Sequence, residues 1–230
     1  TSVTVQNTLN LERFTFEAKM FVDATGDGWL GYYAGADYRV GREAKWQHSE
    51  KYAPVYADHY TMSGVLKGIV PLPDEEILGY LARPTDAPVA YAAPKWAQIF
   101  PRELYREPRR LYTGEWWLEN PGDYDDLFEG ELVRDRLMVI SLAYFHWLKN
   151  DYVKRDTVST YEMYAFGNFN AKRESRRLIG DYVMTEQDVL SGRVFDDAIA
   201  YTGWRIDVHH HLGIHSGALG PYDITLQVPV

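Results

Sequence analysis

The chain has 230 residues, 46% of them hydrophobic and 25% charged, with 24 basic against 33 acidic side chains for a formal net charge of -9. That length supports a substantial core in one or two domains, and the acidic balance argues against nucleic-acid binding, which needs a basic footprint. With no cysteine, disulfides, a thiolate nucleophile and a thiolate metal site are excluded; no run has the apolar length to cross a bilayer and no secretory leader pattern opens the chain, so a soluble protein is expected.

At the amino terminus Val3 and Val5, then Phe14, Phe16, Ala18 and Met20, alternate with polar residues, which predicts a strand, a turn and a second strand. The second strand is expected to run on, buried, through Phe21 and Val22 into the turn "DATGDG" at 23–28. The first strand starts without a cap, a preceding turn or a Met, and "YDITLQVPV" at the other end alternates to the last residue. Both ends are expected to be cuts through a larger protein.

Between Lys45 and Pro108 the chain is rich in Pro, Gly, Ala and Tyr and reads as a loop-rich cap with short helical signals. One is "PDEEILGYL", where Asp74 can cap and Glu75 and Glu76 suit a first turn. Another is "APKWAQIF", with Pro94 placed for a first helical position. The strongest helix is expected from Asp125 to about Lys149, where Val133, Leu137, Ile140, Tyr144 and Trp147 form one stripe. Beyond it, "TYEMYAFGNF", "RRLIGDYVM" and "DAIAYTGWRIDVHHH" read as strands with intervening turns. The 34 aromatic residues, 15% of the chain, are expected mainly in an irregular α+β core and its edges; the alternative exposes some as a platform for sugars or a planar cofactor.

The turn at 23–28 admits two ligand chemistries and a purely structural role. Asp23, Thr25, Asp27 and Gly28 match the start of a calcium loop, but its twelfth position falls on Ala34 instead of an acid. A nucleotide fits better, because small residues and free amides allow close approach. Asp27 would repel a phosphate, so its expected work is to cap the helix beginning at Gly28 or to accept a hydrogen bond from a sugar or ribityl hydroxyl. A structural turn with an Asp cap is an equal reading of the residues alone.

Elsewhere, "RESRR" sets Arg173, Arg176 and Arg177 around Glu174 and Ser175, and such guanidinium forks suit a cofactor phosphate or a substrate carboxylate as well as a self-paired cluster. Arg42 and Glu43 in "GRE" have the same two readings. In "DVHHHLGIH", His209 and His211 share one face of a strand; without an HExxH spacing or an acidic fourth ligand, zinc is not expected. Glu115 and Glu119 flank Trp116 and Trp117, but four residues along a strand separate them by roughly 13 Å, too far for the paired acids of a glycosidase.

The segment "AKMFVDATGDGWLGYYAGADYRVGRE" resembles the second nucleotide-contacting segment of FAD-dependent oxidoreductases of the two-dinucleotide-binding-domain group. "GEWWLE" at 114–119, "WLKN" at 147–150, "RESRRLIGDYVMTEQDV" at 173–189 and "GWRIDVHH" at 203–210 follow in the order seen in a bacterial subfamily whose members are sometimes labelled xanthan lyases. The likeness is to an interior stretch: the GxGxxG segment that holds the FAD pyrophosphate and the carboxy-terminal segment closing over the flavin are expected to be missing, and the fragment alone to be inactive.

The resemblance implies an α+β fold with a mixed or antiparallel sheet, residues 1–44 forming a strand-turn-helix strip of an incomplete FAD-binding domain and 45–230 a substrate domain. It implies FAD as the intact protein's cofactor, contacted by Ala24, Thr25, Gly26, Asp27, Gly28, Arg42, Glu43, Arg173, Glu174 and Arg176. It further implies hydride transfer to flavin from a small polar substrate, sugar derivatives among the candidates, with His209 or His211 as base. The expected partners are that substrate and the flanking parts of the same chain, with no metal, nucleic acid or membrane, in a bacterial cytoplasm or periplasm. A non-catalytic carbohydrate-binding or interaction domain using exposed Trp and Tyr is the rival reading.

Overall fold

A computed structural model describes residues 1–57, 63–69, 76–97, 105, 107–108, 111, 114, 118–120, 124–125, 127–167, 169–172, 175–200, 206, 209 and 212–215. The fold is α+β, built from short antiparallel sheets and a single long helix. Strands β1 (Ser2–Gln6) and β2 (Arg13–Glu17) pair as a hairpin. After α1 (Trp29–Tyr33), strand β3 (Tyr38–Arg39) pairs with the distant β9 (Arg177–Leu178). Helix α2 (Lys45–His48) follows. A three-stranded sheet has the order β5 (Glu76–Leu78), β4 (Ser63–Ile69), β8 (Phe169–Lys172), and β6 (Tyr80–Pro84) pairs with β7 (Tyr161–Phe166). Helix α3 spans Gly130–Asn150 and α4 Glu186–Leu190.

The core is organised by α3. Val133, Leu137, Ile140 and Tyr144 of the expected stripe are buried and Trp147 is half-buried, packed against the same cluster. Tyr80 and Ala82 of β6 and Leu118 close on this face. Much of the filling is aromatic: Phe145 lies edge-on to Tyr80 and to Tyr91, Tyr144 stacks on Trp147 at 5.7 Å, and Tyr105 and Tyr152 reach Trp147 at 5.4 and 5.0 Å. The aromatic surplus therefore serves the core first, although Trp46, Trp96, Tyr33 and Tyr56 are exposed.

Two expectations about local structure need correction. "PDEEILGYL" is not helical in its described part: β5 and β6 occupy it, separated by Gly79 at φ 99°. Pairing with β4 and β7 overrides the helix-favouring composition. Nor does β2 continue as a buried strand, since Met20 and Val22 are 86% and 88% exposed. Its ladder ends where Ala18 donates to the Thr1 carbonyl, after which no described strand lies alongside. Lys149 sits in the last turn of α3, and its Nζ donates to the carbonyls of Val158, Ser159 and Tyr161, tying α3 to the 3-10 turn Arg155–Val158 and to β7.

"APKWAQIF" is helical only as the 3-10 turn Lys95–Ala97, whose Ala97 amide donates to Pro94. The strand expected in "RRLIGDYVM" shrinks to the two residues of β9. Asp74, Glu75 and the strands expected in 201–208 and in "YDITLQVPV" lie outside the described residues.

Truncating the helix stripe at its buried centre should be costly: Leu137→Ala is expected to lose about 2–5 kcal/mol of unfolding free energy, measured by urea denaturation. Tyr105→Phe should cost nothing or stabilise, because its buried hydroxyl has no hydrogen-bond partner and burial raises its pKa.

Candidate functional site

The bend at 23–28 is shaped by Asp23, which turns its carboxylate inward. Oδ1 accepts from the Thr25 amide (3.1 Å) and hydroxyl (2.7 Å), and Oδ2 from the Gly31 amide (2.8 Å). Thr25 Oγ1 in turn accepts from the Trp29 amide at 2.9 Å. The first turn of α1 is thus capped by Asp23 and Thr25, where the expectation was Asp27; the residue directly before the helix is Gly28, at φ 63°. The amide of Gly31, followed by the Thr25 hydroxyl, holds the Asp23 carboxyl below the ordinary carboxylate range.

Contrary to the expected lack of a GxGxxG spacing, Gly26, Gly28 and Gly31 have it, and each glycine has its own reason. Gly26 sits at φ 83° with open space where a Cβ would point. Gly28 is also left-handed, and its Cβ position lies 3.4 Å from Arg176 and Leu178. A Cβ on Gly31 would come within 2.4 Å of a Leu178 methyl, so any larger residue there requires the Leu178 side chain to move for α1 to lie this close to β9. The spacing is that of a dinucleotide-binding turn, with the sharp bend at Gly26 and close helix–strand contact at Gly31, whereas Gly28 faces Arg176 and Leu178. The preceding strand of that motif is absent here and α1 has five residues.

Arg176 secures the bend from behind. Its side chain is buried, with Nη1 donating to the Asp27 carbonyl at 3.0 Å, while neighbouring Ser175 reaches the Gly26 carbonyl at 3.4 Å. The guanidinium carbon lies 4.1 Å from the Trp29 ring centre and 4.2 Å from that of Tyr32, with Tyr38 and Phe128 at 5.7 and 5.8 Å. Nε and Nη2 have no hydrogen-bond acceptor, so ring faces compensate the buried charge. The cage comes from α1, β3 and Phe128 just before α3, all far from Arg176 in sequence, and no motif announced it.

Arg177 continues the connection. It binds both Glu43 carboxylate oxygens through Nη1 at 3.0 and 2.8 Å and donates from Nη2 to the Gly41 carbonyl. Burial pushes the Glu43 carboxyl up, but hydrogen bonding from Arg177, with smaller contributions including one from Arg39, brings it below its usual value. Next to it, Arg42 Nη1 donates to the His209 carbonyl at 2.8 Å. His209 Nδ1 lies 2.8 Å from Glu119 Oε1, both side chains being less than a tenth exposed. Bend, Arg176–Arg177, Gly41–Glu43, His209 and Glu119 therefore form one linked series.

Of the residues singled out from sequence, Ala24–Gly28, Arg42, Glu43, Arg176 and His209 belong to this series, whereas Arg173, Glu174, His211, Glu115, Trp116 and Trp117 lie outside the described residues. Glu119 enters as the residue against His209, a pairing across 90 positions that local spacing does not reveal. The later part of "RESRRLIGDYVMTEQDV" is self-contained: Asp188 accepts from Tyr182 and Arg193 and from the amide and hydroxyl of Thr185, which hold its carboxyl well below the usual range. Among the described residues no group of three potential ligands gathers for a metal, and no helix is long and apolar enough to cross a membrane.

The family model described as FAD dependent oxidoreductase matches residues 1–228. No curated protein and no solved structure matches the chain.

Because the Asp23 carboxyl is lowered in the folded state, its stabilisation is complete above about pH 4, the ordinary carboxylate value, and is lost as pH falls through the lowered one. Asp23→Asn is therefore expected to melt earlier than wild type at pH 7, with the difference shrinking in increasingly acidic buffer. Thermal melts across pH 2 to 7 check this (roughly the range of carboxylate titration), and faster amide exchange at Gly31 in the variant locates the loss.

Proposed function

Because this chain belongs to the FAD-dependent oxidoreductase family, we propose that it forms the substrate-facing part, with one strip of the cofactor domain, of an enzyme that oxidises a small polar substrate. The strip is residues 1–44 and the substrate domain 45–230. Bound FAD supplies the acceptor for a hydride leaving a substrate carbon. The bend offers what a dinucleotide needs: exposed residues at Ala24–Gly26, nothing within 4 Å of where a Cβ on Gly26 would lie, and the Asp23 carboxylate turned inward onto the Thr25 and Gly31 amides.

In this reading Ala24, Thr25, Gly26, Asp27 and Gly28 lie against the cofactor. Arg176 acts by holding the bend and supplying a fixed positive charge behind it, and Arg42, Glu43, Arg173 and Glu174 complete the cofactor side. His209, or His211, takes the proton of the substrate hydroxyl as the carbon–oxygen double bond forms, the hydride leaving to the flavin in the same oxidation. Substrates with a secondary alcohol, sugar derivatives among them, have the required hydrogen on carbon and on oxygen. The observation that carries the reading is the linked series joining Gly26 and Asp27 to His209 through Arg176, Arg177, Glu43 and Arg42.

The test is FAD binding by the full polypeptide that contains this chain. It is expected to purify yellow, with a flavin band at roughly 450 nm. Gly26→Val, which forces a β-branched residue to a positive φ on the open side of the bend, should weaken FAD binding by about 10-fold while circular dichroism stays unchanged. A folded wild-type protein that takes up no FAD, or a Gly26→Val variant that binds it as tightly, overturns the reading.

A further inference from the structure

We propose that the outer edge of β2 is a self-association surface: the strand pairs with β2 of a second copy of this chain, antiparallel and centred on Thr15. Among the described residues β1 and β2 form a sheet of two strands, and β2 is exposed along its whole length. The hairpin's own ladder fixes which backbone groups are left over. Asn7 donates to the Glu12 carbonyl and Ala18 to that of Thr1, and hydrogen-bonded pairs recur at every second residue of an antiparallel ladder. Val5–Phe14 and Val3–Phe16 therefore bond across the hairpin. The N–H and C=O groups of Arg13, Thr15 and Glu17 point the other way, along the free edge.

The order of side chains selects the occupant. In an antiparallel pairing centred on Thr15, Arg13 of each copy stands opposite Glu17 of the other and Phe14 opposite Phe16, while the two Thr15 residues exchange both backbone bonds. Opposite charges meet at both ends and aromatic rings at the positions between. Other arrangements lose this match. A parallel pairing in register sets arginine beside arginine and glutamate beside glutamate, and moving the antiparallel register by two residues sets Arg13 opposite Lys19 or Thr15. The polar face already holds one cross-strand contact inside the hairpin, where the Thr4 and Thr15 hydroxyls hydrogen-bond at 2.9 Å. On the opposite face Phe14 and Phe16, 46% and 56% exposed, each gain a neighbouring ring. The β1 edge, with Ser2, Thr4 and Gln6 facing out, has no charged side chain to fix a register.

The test is the oligomeric state of the full polypeptide that contains this chain, followed by sedimentation velocity in low salt. Concentrations from roughly 1 to 300 µM cover the range in which so small an interface exchanges, and wild type is expected to pass from monomer to dimer across it. Arg13→Glu and Glu17→Arg each set like charges opposite one another at both ends, and each should weaken the dimer about 10-fold or more. Mixing the two variants should restore association, because each then meets its complement, and the double variant Arg13→Glu/Glu17→Arg should dimerise like wild type. Thr15→Pro removes an outward N–H while leaving the hairpin's own bonds in place, and is expected to stay monomeric. A wild type that is monomeric throughout overturns the proposal, and slow hydrogen exchange at the Thr15 amide of that monomer assigns the edge to another segment of the same polypeptide. A dimer indifferent to the charge variants and to Thr15→Pro also overturns it, as does a mixture of the two single variants that fails to associate. None of these readouts depends on bound FAD.

Discussion

A buried arginine without a carboxylate against it governs the geometry of the bend. At 5% exposure Arg176 has given up its water, and what replaces it is one carbonyl oxygen and the faces of Trp29, Tyr32, Tyr38 and Phe128. Such a cation fits one position: a small displacement trades ring faces for nothing, in surroundings where unscreened charge is expensive. The bend is therefore held through its outward carbonyls, leaving its small residues open. Without that cation, a five-residue helix and a two-residue strand pair would have little to keep them in register.

From this anchor, local order spreads through side chains more than through regular structure. Consecutive arginines at the start of β9 part ways, Arg176 just before it going into the aromatic cage and Arg177 onto Glu43 and Gly41. Arg42, between two residues bound by Arg177, passes the connection to His209. Each link is a charged group bound to a carbonyl or a carboxylate, stronger than a neutral hydrogen bond. The large core around α3 lies elsewhere and supplies stability of the ordinary apolar kind.

The long helix was legible because its signal is local: Val133, Leu137, Ile140 and Tyr144 recur at helical spacing and are the residues buried. The amino-terminal hairpin was legible for the same reason, with period two in place of 3.6. "PDEEILGYL" misled because its acids and leucines favour a helix in isolation, while β4 and β7, which claim it as strand, lie elsewhere in the chain. At the site, residue types were readable and their tasks were not. "DATGDG" advertised a special bend, yet Asp23 rather than Asp27 does the capping, because the amides to be satisfied curl back toward the start of the turn. The cage around Arg176 and the contact between Glu119 and His209 join residues far apart, and no periodicity encodes that.

Gly31 gives the assembly a gauge. Helix α1 and strand β9 meet there with backbone against the methyls of Leu178, so their spacing reflects how little matter lies between them. One added carbon would meet those methyls first, and Leu178 would have to turn aside for the bend to keep its place. The distance between the bend and the residues behind it is thus set at a position that contributes no side chain.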